Sequence, residues 1–98
     1  MVILSGAQSL IGNYLLPQLR NEHQVCAFDS ERGDIRDHSF IDQLFKEIKP
    51  DIFINCEDNV NIDDCEYKRE DAYVVNGLVP AHIAEQCAIH KVLMVQMS

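Results

Sequence analysis

With 98 residues, 47% of them apolar, the chain has the length and composition of one globular domain with a modest core. Its 16 acidic residues against 8 basic give a net charge of −8, a field that opposes non-specific binding to nucleic acid or an anionic membrane. No apolar run approaches a membrane span, and no basic segment precedes the first apolar run, so neither a spanning helix nor a signal peptide is expected.

Val2, Ile3 and Leu4 form an apolar run too short for a helix and rich in β-branched residues, which predicts a buried strand. The chain then turns at Gly6, and Gly12 falls where a helix is already under way. A glycine at the turn admits positive φ and a close approach of phosphate to the main chain. A glycine six residues later lets the helix lie close against the strand. The free N–H groups and dipole of that helix start make an anion site. The pair fits an ordinary β-turn-α connection equally well, and this stretch alone does not decide between them.

Ile11, Leu15, Leu16 and Leu19 recur at helical period and predict a helix over about Leu10 to Asn21, loosened by Pro17. Gln24 to Asp29 reads as the second strand, ending on a carboxylate. A polar loop, Ser30 to Arg36, follows. Asp37 is a good N-cap for a helix with Phe40, Ile41, Leu44, Phe45 and Ile48 on one face. Lys46 and Lys49 suit its C-terminal dipole, and Pro50 stops it. Asp51 to Cys56 is apolar on both faces, as a central parallel strand should be. Glu57 to Glu66 reads as an acidic solvated connection rather than a divalent-cation site. A longer helix is expected from about Tyr67 to Ala88, with Ala72, Val75, Leu78, Val79, Ile83, Ala84 and Cys87 apolar and Pro80 interrupting it. Lys91 to Ser98 reads as a fourth strand.

Three β-then-α units ending on a strand predict an α/β fold: a partial, three-layer, Rossmann-like parallel sheet of four strands and three helices with right-handed crossovers. The order expected from the dinucleotide fold is 3-2-1-4, with the switch point between strands one and four. The fourth strand, Val92 to Met97, is then an edge with unpaired backbone groups and an uncovered apolar face, so a homo-oligomer through it is expected. Cys26, Cys56, Cys65 and Cys87 form no C-x-x-C pair and suit buried free thiols in a reducing cytoplasm. His23, His38, His82 and His90 show no metal-ligand spacing, so no metal is expected.

The residues from Asp51 onward resemble the dTDP-4-dehydrorhamnose reductase family of extended short-chain dehydrogenase/reductases, which make sugar nucleotides. The family pattern N-A-A-A, V-D-x-x-E and A-x-x-V-N is matched by Asn55-Cys-Glu-Asp58, Ile62-Asp-Asp-Cys-Glu66 and Ala72-Tyr-Val-Val-Asn76. Ser5-Gly-Ala-Gln-Ser-Leu-Ile-Gly12 is similar to its T-G-A-x-G-x-L-G, Asp34-Ile-Arg-Asp37 to its D-I-T-D, and Val95 to Ser98 to the start of its V-x-x-S-T-D-Y-V-F. The likeness runs through all 98 residues in order.

The resemblance implies an NAD- or NADP-binding half without the substrate domain. Gly6, Gln8, Ser9, Leu10, Ile11 and Gly12 would cradle the pyrophosphate, Asp29 would stand near the adenosine ribose, and Asp34 and Ile35 would flank adenine. Asn55 and Cys56 would line the cofactor, and Asn76 would fix local structure. Three departures stand out. Ser9 replaces a middle glycine, where its Cβ would crowd a pyrophosphate. Glu57 and Asp58 replace small apolar residues. The family's Tyr-x-x-x-Lys pair is absent, since Tyr14, Tyr67 and Tyr73 have no lysine four residues on. No catalytic residue is therefore assigned, and no reductase activity is expected of these residues alone. Two rival readings are a non-catalytic subunit similar to the regulatory subunit of methionine adenosyltransferase, and a truncated product that binds nothing.

Overall fold

A computed structural model describes residues 1–28, 33–57 and 77–97. Among the described residues four short strands form one parallel sheet: β1 (Val2–Ser5), β2 (Val25–Phe28), β3 (Ile52–Asn55) and β4 (Leu93–Gln96). The helices described between them are α1 (Leu10–Arg20), α2 (His38–Ile48) and α3 (Val79–His90). The α/β class, the parallel sheet and the layered arrangement are as expected. The strand order is not.

The sheet runs β2-β1-β3-β4, so β3 pairs with β1, Val2 opposite Ile52, rather than with β2. The reason lies in the crossovers. From β1 to β2 the chain moves one way, and α1 packs on one face. From β2 it crosses back over β1 to β3 and continues to β4, and a right-handed connection in that direction puts α2 and α3 on the other face. The two apolar clusters record this division. Ile3, Phe28 and Phe53 pack with Ile41, Leu44 and Phe45 of α2 and with Val79, Ile83 and Cys87 of α3. Val2, Leu4, Ile54 and Cys56 pack with Leu15, Leu16 and Leu19 of α1. The switch point therefore lies between β1 and β3.

Local signals set the helix ends. Asp37 caps α2, its carboxylate accepting from the N–H groups of Ser39 at 2.9 Å and Phe40 at 3.4 Å. Lys49 closes that helix in a left-handed conformation, its N–H donating to the Phe45 carbonyl, and Pro50 follows. Pro80 stands in the first turn of α3, which directly follows Gly77 and Leu78 in a wider helical turn; the expected upstream part of this helix, including Ala72 and Val75, lies outside the described residues. Ile11, Leu78 and Ala84, among the apolar residues of the expected helices, are exposed, the first two at 38% and 49%. Phe45, Phe53, Ile41 and Ile83 carry the core at 1% exposure or less, each worth roughly 1.5–3 kcal/mol of burial. Cys56 and Cys87 are free thiols, both buried. Among the described residues no helix is long and apolar enough to cross a membrane.

Candidate functional site

The C-terminal ends of β1, β2 and β3 meet the turn that enters α1. Gly6 takes φ +70°, and a Cβ there would lie 2.6 Å from the Cys56 carbonyl carbon and 2.7 Å from the Glu57 nitrogen. Only glycine meets both the conformation and the contact. A Cβ on Gly12 would run into the carbonyl oxygen of Gly6, so both glycines of the pair are required by shape. The turn is held from within: Ser9 N–H donates to the Gly6 carbonyl at 2.9 Å and Ala7 N–H to the Phe28 carbonyl at 3.2 Å. The Asn13 amide reaches the Gln8 carbonyl at 3.3 Å. Leu10 and Ile11 occupy the first turn of α1, where backbone N–H groups have no acceptor inside the helix.

Ser9 is the N-cap. Its backbone is extended, at φ −67° and ψ 162°, and its hydroxyl accepts from the Gly12 N–H at 3.0 Å. The expectation of mere crowding at this position missed that bond.

Asn55 is fully buried, and its amide is spent on the scaffold. Its Oδ1 accepts from the Ser5 hydroxyl at 2.6 Å and from the Glu57 N–H at 3.0 Å, and its Nδ2 donates to Gln96 Oε1 at 2.9 Å. One side chain thus ties β1, β3 and β4 together beside the glycine turn. Ser5 and Gln96 were not singled out from the sequence, though each is a polar residue closing an apolar strand. Cys56 is buried next to them, its N–H bonded to the Ser5 carbonyl at 3.0 Å. Burial pushes its thiol pKa up, and the charge of Glu57 adds to this.

Gly6, Ser9, Gly12, Asn55 and Cys56 are therefore brought together. Asp34 and Ile35 stand in the turn leading to α2. Asp34 is exposed and held below the usual carboxylate range by Arg36, whose Nε and Nη2 each lie 3.1 Å from it. Ile35 is buried in the core on the α2 side. Asp29, Asp58 and Asn76 lie outside the described residues. His38 and His82 stack at 3.7 Å, and His82 Nε2 lies 3.1 Å from Asp42, fastening α2 to α3. Among the described residues no group of His, Cys, Asp or Glu is arranged to hold a metal ion. A cleft of about 450 Å³ lined by Phe45, Lys46, Lys49, Pro50 and His90 sits where α2 and α3 end.

The turn thus offers a tight, glycine-dependent bend followed by a helix N-terminus with free backbone N–H groups, an arrangement able to hold an anionic group.

The whole chain, residues 1–98, matches the family described as the RmlD substrate binding domain. It is 30% identical to dTDP-4-dehydrorhamnose reductase of Mycobacterium tuberculosis over 88 residues, which are 89% of this chain and 28% of that protein. A dTDP-4-dehydrorhamnose reductase from Clostridium acetobutylicum superposes with a TM-score of 0.91 at 28% identity, covering 99% of this chain and 35% of the other. The same enzyme from Bacillus anthracis, solved in complex with NADP, gives a TM-score of 0.87 at 30% identity, covering 95% and 34%. The chain spans about a third of the length of these relatives.

Proposed function

Because the chain belongs to the dTDP-4-dehydrorhamnose reductase family, we propose that its 98 residues are the NAD(P)H-binding part of a sugar-nucleotide reductase. The observation that carries this reading is the glycine turn: Gly6 at φ +70° against the Cys56 carbonyl, and Gly12 against the Gly6 carbonyl. That geometry leaves the first turn of α1 as a surface of backbone N–H groups, which hold phosphate without any lysine. This matters in a chain of net charge −8. The bound nicotinamide would supply hydride to the keto carbon of a deoxysugar nucleotide. Asn55, Ser5 and Gln96 act one step back, fixing the strand ends on which the turn rests.

The residues for proton transfer are a different matter. Four residues after Tyr14, Tyr67 and Tyr73 stand Gln18, Asp71 and Gly77, so the sequence contains no Tyr-x-x-x-Lys pair to protonate the product. On this reading these 98 residues supply contacts to the cofactor, and the proton donor is not among them.

Calorimetric titration with NADH and NADPH tests the reading. Weak binding of both is expected, with little preference, because the carboxylate of Asp29, the residue that follows Phe28 in the sequence, would repel a 2′-phosphate near it. Gly12→Val should abolish binding, since a branched side chain has no room against the Gly6 carbonyl. No binding of either cofactor to the folded native chain would contradict the proposal. Tight binding of NADPH alone would remove Asp29 from it.

A further inference from the structure

We propose that the Ser9 hydroxyl is a built-in competitor of the cofactor pyrophosphate, occupying a backbone N–H that phosphate would otherwise take. This rests on reading the glycine turn as the dinucleotide site. The first turn of a helix offers a small set of unsatisfied N–H groups. Here the set comprises those of Leu10, Ile11 and Gly12, and the third already donates to Ser9 Oγ at 3.0 Å. The hydroxyl is held in place by its own backbone. Ser9 N–H donates to the Gly6 carbonyl at 2.9 Å, and the Ser9 carbonyl accepts from Asn13 N–H at 2.8 Å. Its conformation, φ −67° and ψ 162°, is that of an N-cap.

The hydroxyl is also packed closely at the start of the helix. A Cβ on Gly12 would lie 3.0 Å from Ser9 Oγ as well as against the Gly6 carbonyl, so the oxygen has little room to swing away from the Gly12 N–H it accepts from. A phosphate oxygen and the Ser9 oxygen are both acceptors. One N–H cannot serve both at full strength, so phosphate must either turn the hydroxyl away or bind only through Leu10 and Ile11. A glycine at position 9 would leave all three N–H groups free and a less firmly capped helix. Ser9 thus exchanges cofactor affinity for stability of α1.

This differs from crowding by the Cβ of Ser9, and two substitutions separate the two. Ser9→Ala keeps the Cβ and removes the oxygen, whereas Ser9→Gly removes both. The expected result is that both variants bind NADPH about fivefold more tightly than the native chain, the worth of one capping bond. Their thermal midpoints should fall by about 4–8 °C, with helical circular dichroism retained at 20 °C or so. Ser9→Thr, which keeps the hydroxyl, should behave like the native chain. Tighter binding by Ser9→Gly alone would overturn the proposal in favour of steric crowding. Weaker binding by Ser9→Ala would overturn it by showing that the hydroxyl donates to phosphate. If the native chain and all three variants bind no dinucleotide, the dinucleotide reading itself fails. That outcome is distinct from the first two, in which binding persists.

Discussion

Single side chains here are governed by what burial does to their polar or ionisable atoms. Asn55 escapes the cost of an unsatisfied amide because Ser5, Glu57 and Gln96 supply partners at 2.6–3.0 Å. Cys87 has no such recourse, and burial pushes its thiol up to about 11 from 9.0. The fold therefore favours the neutral thiol. A raised pKa contributes stability that is full below the unfolded value and is lost as pH rises through the window from about 9 to 11. Urea midpoints should fall over that window, and Cys87→Ala, though less stable at neutral pH, should show a shallower fall. Cys56, raised by burial and by Glu57, leaves the remainder. An identical alkaline slope in the native chain and the variant would contradict this.

At the scale of elements, local chemistry was legible and long-range pairing was not. Asp37 as a cap, Pro50 as a stop and the apolar runs of β1 and β3 all announce themselves within a few residues. So did the need for glycine at positions 6 and 12. The order of the strands depends on which way the chain crosses after β2, and no residue near Phe28 or Ile52 encodes that choice by itself. Ile11 and Leu78 are apolar yet exposed because helical period fixes spacing but not the angle at which a helix lies on its sheet. Ser9 was read for its bulk because a hydrogen bond three residues along depends on backbone angles. The edge position of β4 survives the change of order. It pairs with β3 alone among the described strands, and Leu93 is 62% exposed on it. We propose that this edge drives self-association. Light scattering coupled to size exclusion should show mass rising with concentration, and Leu93→Lys should reduce it. A monodisperse 11.2 kDa species at every concentration would contradict the proposal.

Across the whole molecule, two places compete for an anionic ligand in a chain of net charge −8. The glycine turn lies at the C-terminal end of the sheet and presents the positive end of α1. The cleft of Lys46, Lys49 and His90 lies at the other end, where α2 and α3 finish. Those helix ends are negative, and basic side chains there complement their own carbonyls. The proposed dinucleotide site is therefore the turn, and the lysine cleft is helix-end chemistry. Amide chemical shifts of the isotopically labelled chain, followed while NADPH is added, test this most directly. Shifts concentrated at Gly6 to Gly12 and at Asn55 to Glu57, with Phe45, Lys49 and His90 unmoved, are the predicted result. Shifts centred on Phe45, Lys49 and His90, or none at the glycine turn at saturating cofactor, would contradict it.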